Sequence, residues 1–167
     1  MKTKFFAILL LSVSIFSCSS DDAANVPEIS SGVYMMSSFK VEEATDLNGD
    51  GNASNNLMSE FGCFNNSLLT LNADHTFSSD EKGVEIIIED DNSSISCFDD
   101  GAIDGTWEQD GNKIILHYTM DGEVYDDSFV ISGSTLKFTI EDGMTVGIED
   151  DVETYVMTDI VIVYTKQ

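Results

Sequence analysis

Apolar and polar residues alternate with a period of two along most of this chain, from Gly32 to its end. Such alternation places successive side chains on opposite faces of a β-strand, whereas a helix needs a period of 3.6. Glycine turns interrupt the pattern about every ten residues. The clearest of them are Asp110-Gly111-Asn112, Asp121-Gly122 and Ser132-Gly133-Ser134. The sequence therefore predicts a series of antiparallel strands joined by hairpins.

About eight short strands with regular turn signals are typical of a β-sandwich or an antiparallel barrel. Eight strands can close into a barrel whose interior is filled by side chains or holds a single ligand, and closure leaves no exposed edge. Only Ser54 to Cys63 favours helix, and for only two turns. We expect an all-β fold: a single up-and-down antiparallel β-barrel of about eight strands, with one short helix after the first strand.

The N-terminal residues predict export. Lys2 and Lys4 precede the apolar run Phe5 to Phe16, which is too short to anchor a protein across a bilayer. The run ends at Cys18 in a pattern that resembles the bacterial lipobox, in which the cysteine is lipidated and becomes the mature N-terminus. An ordinary secretory signal with an unrelated cysteine is the alternative. The predicted boundaries are a lipoprotein signal peptide over 1–17, a flexible acidic tether over 18–31 and the barrel domain over 32–167.

The chain contains three cysteines, an odd number for an exported protein. Lipidation of Cys18 leaves Cys63 and Cys97, and two such cysteines in an oxidising compartment most simply pair. Their disulfide would close a loop of about 35 residues and stabilise the fold by roughly 3–4 kcal/mol in the chain-entropy model. Two buried free thiols are the alternative.

The chain is strongly acidic, with 31 Asp and Glu residues and a formal net charge of −24 at pH 7. It has no arginine and only seven lysines, too few against 31 acidic residues to neutralise the phosphates of a nucleic acid, so no nucleic-acid partner is expected. Anionic lipid surfaces are equally unattractive, so membrane contact is expected only through the N-terminal lipid. Most of the carboxylates are explained by a solvated outer face.

The stretch DLNGDGNASNNL, Asp46 to Leu57, begins as a calcium loop does, with oxygen side chains at alternate positions and Gly51 in sixth place. Leu57 occupies the twelfth position, which in such a loop holds a bidentate Glu, and we expect Leu57 to point into the core. In a short helix Glu60 would follow about one turn later and could complete the shell. The predicted structural calcium site therefore comprises Asp46, Asn48, Asp50, the Asn52 carbonyl, Ser54 and Glu60. A polar loop without an ion is the alternative.

No residue is singled out for catalysis. His75 lies in a turn and His117 on a strand, and neither has a cysteine or a third histidine at metal-ligand spacing. No Gly-x-Ser-x-Gly elbow is present, and the acidic runs Glu89 to Asp91 and Glu149 to Asp151 are typical of solvated loops. We predict a protein that is not an enzyme and that uses no catalytic cofactor.

Taken in order, several short features resemble the lipocalin-like domain of small surface lipoproteins from Bacteroidetes-type bacteria. They are Cys18 with SSDD behind it, Gly32, DLNGDG, Cys63 before NNSLLTLNADHTF, Cys97, GTW at Gly105 to Trp107, GNKIIL and SGSTLKF. The resemblance covers about Gly32 to Tyr164. Lipocalins carry a Gly-x-Trp on the first strand and pack an arginine from the last strand over its tryptophan. This chain departs from both features: Gly32, Val33 and Tyr34 stand at the motif, with tyrosine in place of the tryptophan, and Lys166 is at best a substitute for the absent arginine.

The resemblance implies a barrel and, through SSDD, export to the outer face of the outer membrane; a merely acidic tether is the alternative. It carries over no retinoid or lipid pocket. We expect a lipid-anchored extracytoplasmic domain that binds an unknown small apolar ligand or a surface protein. A filled, ligand-free barrel that acts as an accessory envelope component is the alternative. In a filled barrel the aromatic residues of the later strands would belong to the core, whereas in a ligand-binding barrel some of them would line a cup. These residues are Trp107, Tyr118, Phe129, Phe138 and Tyr155.

Overall fold

The computed structural model describes residues 29, 31–89 and 92–167, and the predicted signal peptide and lipidation site Cys18 lie outside these residues. Within them, nine strands form one antiparallel sheet. Their bounds are β1 Gly32–Thr45, β2 Ser54–Asn56, β3 Leu68–Leu71, β4 Thr76–Glu89, β5 Asn92–Asp110, β6 Lys113–Met120, β7 Glu123–Ser132, β8 Thr135–Glu149 and β9 Val152–Lys166.

Eight of these strands close into a barrel, as the alternating pattern predicts. From β3 to β9 each strand pairs with the next, β3 pairs with the start of β1, and β9 returns to pair with β1 over Tyr34 to Lys40. The short β2 continues the edge of β1 beyond β3. The sheet thus has no long open edge, which satisfies the backbone groups that an open sheet would expose.

The hairpin turns have the chemistry that the sequence indicates, with one addition. Gly111, Gly122 and Gly133 all have positive φ angles, between 58° and 86°. The β8–β9 turn is made without glycine by Asp150 and Asp151, at φ 52° and 62°. Aspartate tolerates this left-handed region better than most residues because its short side chain can bond the local backbone. Part of the acidic run Glu149 to Asp151 is therefore turn structure.

The helix after β1 exists but is shorter than predicted. The α-helix α1 covers only Leu57–Glu60 and is followed by a 3₁₀ turn at Gly62–Phe64. The side chain of Asn56 caps α1 by accepting a hydrogen bond from the Met58 N–H, and Phe61 interrupts the helix with extended backbone angles. Leu57 is fully buried in the core, as predicted.

The core fills one end of the barrel. Its fully buried large side chains come from strands that are far apart in the sequence: Tyr34, Leu69, Leu71, Ile114, Leu136 and Tyr164. Burial of each aliphatic member contributes about 1.5–3 kcal/mol. Trp107 closes the same end, where its indole N–H donates to the Asn72 carbonyl and its ring stacks on His75. Ile29 is also buried, so contact with the barrel begins before β1.

Candidate functional site

A cup opens at the other end of the barrel, between the β4–β5 and β8–β9 hairpins. Its volume is about 350 Å³, at the lower end of the range for small-molecule pockets. The lining is mostly apolar, with aromatic rings from four separate parts of the chain. The main apolar lining residues are Met36, Phe39, Phe64, Phe98, Ile103 and Val146. The barrel is therefore packed at one end and hollow at the other.

Three aromatic rings of the cup are held in place by specific contacts. Phe39 and Phe64 stack with their centroids 4.6 Å apart. Phe98 lies over Gly83, where an added Cβ would be 2.6 Å from the ring. No other residue type fits at Gly83 unless Phe98 moves, since Cβ contacts below 3.0 Å essentially never occur. The shape of the cup on this side thus depends on the absence of a side chain.

The predicted disulfide is present between Cys63 and Cys97, whose Cα atoms are 5.2 Å apart. It joins the 3₁₀ turn to β5. Phe64 and Phe98, the residues that follow the two cysteines, both line the cup. The disulfide therefore links two segments of the cup wall that are 34 residues apart in sequence.

Among the described residues, Glu81 is the one acidic side chain that lines the cup. Ser79 Oγ donates to Glu81 Oε1 at 2.9 Å, and the Tyr164 hydroxyl donates to the same oxygen at 3.1 Å. The register between β4 and β5 shifts between Asp80 and Lys82, so Glu81 lies at a strand irregularity of the kind that re-aims a side chain. Although it bonds the buried Tyr164, Glu81 is solvent-exposed. Its carboxylate is therefore accessible from the open cup.

The two hydroxyls that bind Glu81 are neutral donors. Burial raises the pKa of Tyr164, and the adjacent Glu81 carboxylate raises this pKa further. Tyr164 thus keeps its proton at physiological pH and can donate it only in a hydrogen bond. Ser79 is also buried. The pair orients the carboxylate without neutralising its charge, because neither donor is a cation.

A second carboxylate lies deeper in the barrel. Asp127 lines a cavity of about 90 Å³ that shares Glu81, Ile103 and Ile162 with the cup. Asp127 Oδ2 accepts a 2.9 Å hydrogen bond from the Tyr118 hydroxyl. Burial raises the pKa of Asp127 because it disfavours the charged form, and the Tyr118 hydrogen bond opposes that rise. The hollow part of the barrel therefore has acidic groups at two depths.

Lys82 is the only cationic side chain in the lining of the cup, among the residues that the structure describes. Its Nζ is 3.0 Å from Asp80 Oδ1 and 2.7 Å from Asp99 Oδ2. Hydrogen bonds to Asp99 and Asp80 raise the pKa of Lys82, so it stays charged. Two carboxylates therefore surround this ammonium, and it does not offset the charge of Glu81.

The predicted calcium loop is ordered by its own backbone. Asp46 accepts hydrogen bonds from the N–H groups of Asp50 and Gly51, and Asn48 accepts one from Asp50. The N–H of Asn52 donates to Asp50 Oδ1 at 2.8 Å. Gly49 and Gly51 supply the positive φ angles, 72° and 86°, that this turn requires. The Asx-type bonds make a compact loop whose oxygens lie close to its backbone amides.

The structure brings Glu60 to the start of this loop. Glu60 is buried, and its Oε2 accepts hydrogen bonds from the N–H groups of Leu47 at 3.0 Å and Asn48 at 3.4 Å. The Ser54 hydroxyl instead bonds the backbone of Asn56. No three His, Cys, Asp or Glu side chains in the described part of the chain are grouped so as to hold a metal ion. A calcium ion here would therefore need amide, carbonyl and water oxygens as well.

Both histidines bind side chains or backbone near the surface. His117 Nδ1 is 2.6 Å from Asp126 Oδ1, and His117 Nε2 is 3.7 Å from Glu108 Oε1. His75 Nδ1 is 3.2 Å from the Trp107 carbonyl oxygen. Neither side chain lines a cavity described above. His75 therefore packs against Trp107, and His117 pairs with carboxylates at the surface.

Sequence reasoning missed Glu81, Ser79 and Tyr164. The available signal was the alternation Phe77, Ser79, Glu81, which continues one inward face of β4 from apolar to polar residues. The sequence interpretation weighed the acidic runs of the turns and passed over this single acid. Of the aromatic residues predicted as core or lining, Tyr155 lines the cup, Trp107 is packed at the far end, and Tyr118, Phe129 and Phe138 line the deeper cavity.

No protein-family model, curated protein or solved structure matches this chain. No helix within residues 31–89 and 92–167 is long and apolar enough to cross a membrane. The function is therefore inferred from the cup and from the sequence features that precede the barrel.

Proposed function

We propose that this protein is a non-enzymatic binding protein whose lipocalin-like barrel holds one small ligand with an apolar body. The observation that carries the proposal is the open cup of about 350 Å³, lined by aromatic and aliphatic side chains at one end of a closed barrel. Clefts of this volume with apolar walls and few polar groups are typical of small-molecule sites. The packed opposite end gives the cup a rigid base.

The proposal is tested with N-phenyl-1-naphthylamine, a neutral apolar dye that fluoresces when it leaves water. The mature protein should bind the dye saturably. Val84→Trp, which places an indole in the cup wall, should abolish binding. Val124→Trp is the matched control, because Val124 is 77% exposed on β7 and lines none of the cavities. Absence of dye binding, or equal binding by both variants, would contradict a ligand-binding cup.

The export features place this domain, in our proposal, on the outer membrane, anchored by a lipid on Cys18 and exposed at the cell surface. The support is the short apolar run before Cys18 and the acidic SSDD after it. Cys18→Ala should release the protein from the membrane fraction of its own cells. Externally added protease should degrade the wild-type protein on intact cells. Protection until the outer membrane is permeabilised would indicate the periplasmic face instead.

We also propose that calcium stabilises the long connection between β1 and β3. Glu60, which the sequence interpretation offered as the replacement for the missing twelfth ligand, is held against Leu47 and Asn48 at the beginning of the loop. Asp46, Asn48 and Asp50 supply further oxygens, which calcium prefers. The ion would be structural, since the loop follows a strand and is not flanked by two long helices.

An accessory role in protein–protein contact is the second candidate, and a specific surface favours it. The β8–β9 hairpin exposes large apolar side chains: Met144, Ile148, Val152, Tyr155 and Met157. Contiguous exposed apolar residues of this kind often mark interaction sites. Met157→Lys should disrupt such an assembly in cross-linking of intact cells. The same substitution should leave dye binding unchanged, since Met157 does not line the cup.

A further inference from the structure

The charge inside the cup specifies the chemistry of its ligand. The cup wall is apolar on most sides, and Glu81 provides one solvent-accessible carboxylate at the boundary with the deeper cavity. Ser79 and Tyr164 both donate their hydrogen bonds to Oε1 of this carboxylate. Within the described residues, Oε2 accepts no hydrogen bond and is available to a ligand. An ionised carboxylate has only acceptor capacity, so the matching ligand group is a donor.

We infer that the cup binds a cationic amphiphile, a molecule with a protonated amine that bonds Glu81 and an apolar body that packs against the aromatic wall. This inference rests on the proposed binding function and adds the ligand class. Charge-assisted hydrogen bonds are stronger than neutral ones, and an ammonium paired with Glu81 would gain one. Phe39, Phe64 and Phe98 supply aromatic rings to the wall, and aromatic rings attract a cation as well as a hydrocarbon.

The surroundings of Glu81 disfavour an anionic ligand such as a fatty acid. Lys82 is the only cation in the described lining of the cup, and Asp80 and Asp99 already hold its ammonium. Asp127 adds a second acidic group in the adjacent cavity, which shares Glu81 with the cup. The whole chain carries a formal charge of −24, which lowers the local concentration of anions and raises that of cations. An anionic head group would therefore meet unfavourable electrostatics beside Glu81.

A matched series of eight-carbon amphiphiles tests the ligand class: octylamine, 1-octanol and octanoate, each competing against N-phenyl-1-naphthylamine at pH 7. Their tails are the same, so differences in affinity report the head group. Octylamine should bind about tenfold or more tightly than octanol, which corresponds to one charge-assisted hydrogen bond. Octanoate should bind most weakly. The measurement is made at physiological ionic strength, where diffuse surface attraction is screened.

Glu81→Gln removes the charge but keeps an acceptor for Ser79 and Tyr164. It should reduce octylamine affinity to that of octanol, and an unchanged midpoint of urea denaturation shows that the variant is folded. Glu85→Gln is the matched control, since Glu85 is exposed on the same strand and lines neither the cup nor the deeper cavity. It should retain the preference for the amine.

Three results would overturn the inference. The first is that octanoate competes as well as octylamine. The second is that Glu85→Gln reduces the preference for the amine as much as Glu81→Gln, which would show that the preference comes from the overall charge of the protein. Either result would leave the binding function standing, because dye and octanol still bind. Failure of the dye and of all three amphiphiles to bind would overturn both the ligand class and the proposed function.

Discussion

The ammonium of Lys166 lies over the ring of Tyr34, with Nζ 5.8 Å from the ring centroid. Lys166 ends β9 and Tyr34 is on β1, so the contact joins the two strands that close the barrel. Lys166 Nζ also donates to the Ser31 carbonyl oxygen at 3.1 Å. A Cβ at Gly32 would approach the Lys166 side chain to 2.9 Å, so the absence of a side chain there admits the lysine. The sequence interpretation named Lys166 as the substitute for an arginine over a first-strand ring, and the two residues are indeed paired in this way.

Lys166→Met should destabilise the fold by about 0.5–2 kcal/mol. Methionine keeps an apolar stem but removes the ammonium, so the attraction between this cation and the buried Tyr34 ring is lost. Urea denaturation followed by tryptophan fluorescence measures the change. Lys137→Met is the matched control, since Lys137 is exposed on β8 and has no ion pair among the described residues. Equal losses of unfolding free energy in the two variants would show that the destabilisation comes from the change in net charge alone.

Replacing both Cys63 and Cys97 with serine should cost about 3–4 kcal/mol of unfolding free energy, because the bridge restricts a long loop in the unfolded chain. It should also weaken dye binding, since Phe64 and Phe98 in the cup wall directly follow the two cysteines. Urea denaturation and dye titration measure the two effects. Dithiothreitol should reproduce both in the wild-type protein and change nothing in the double variant; an unaltered denaturation midpoint would refute the prediction.

Calcium at ten times its dissociation constant should stabilise the mature protein by about 1.4 kcal/mol. Differential scanning fluorimetry should then show a rise of a few degrees at millimolar calcium, as expected for a weak extracellular site. Glu60→Gln keeps an acceptor for Leu47 and Asn48 but loses the charge, so it should abolish the rise. Glu141→Gln, which changes an exposed residue of β8, should leave the calcium-dependent rise intact. No rise in the wild-type protein would assign the loop a purely polar role.

Stability should depend on pH through His117. The hydrogen bond to Asp126 and the nearby Glu108 raise the pKa of His117. The folded-state pKa of His117 thus lies above the unfolded value of about 6.5. The stabilisation by protonated His117 is therefore fully present below pH 6.5 and is lost as the pH rises through the folded-state pKa. His117→Ala should therefore destabilise the protein at pH 5.5 and much less at pH 9. Because the pair is solvent-exposed, the effect should stay below about 1 kcal/mol and shrink in salt. A loss that is the same at both pH values would contradict this origin.

Much of the fold could be predicted because its signals are local. Alternation along β5, β6 and β7 and the glycines at positions 111, 122 and 133 define hairpins without reference to distant residues. The turn at Asp150 and Asp151 lacked such a glycine, and the acidic run was interpreted as a solvated loop. The helix was overestimated because Asn56 and Phe61 adopt extended backbone angles in the folded chain.

The candidate site was less predictable because it is built from contacts between distant residues. Tyr164 and Glu81 are 83 positions apart, and the shift in strand register at Glu81 depends on pairing with β5. The sequence left open whether the interior was filled, since the residual volume depends on how rings from many strands pack together.

The sequence by itself determined the antiparallel strands, their hairpin turns and the strongly acidic character, because periodicity, turn residues and charge are properties of the chain alone. It predicted the barrel and the Cys63–Cys97 pairing, which the structure then showed. The tertiary structure decided that one end is packed around Trp107 and Tyr34 and that the other is an open cup with Glu81 accessible within it. The physical reason is that a cavity is the space left between side chains that approach one another only after the barrel has closed.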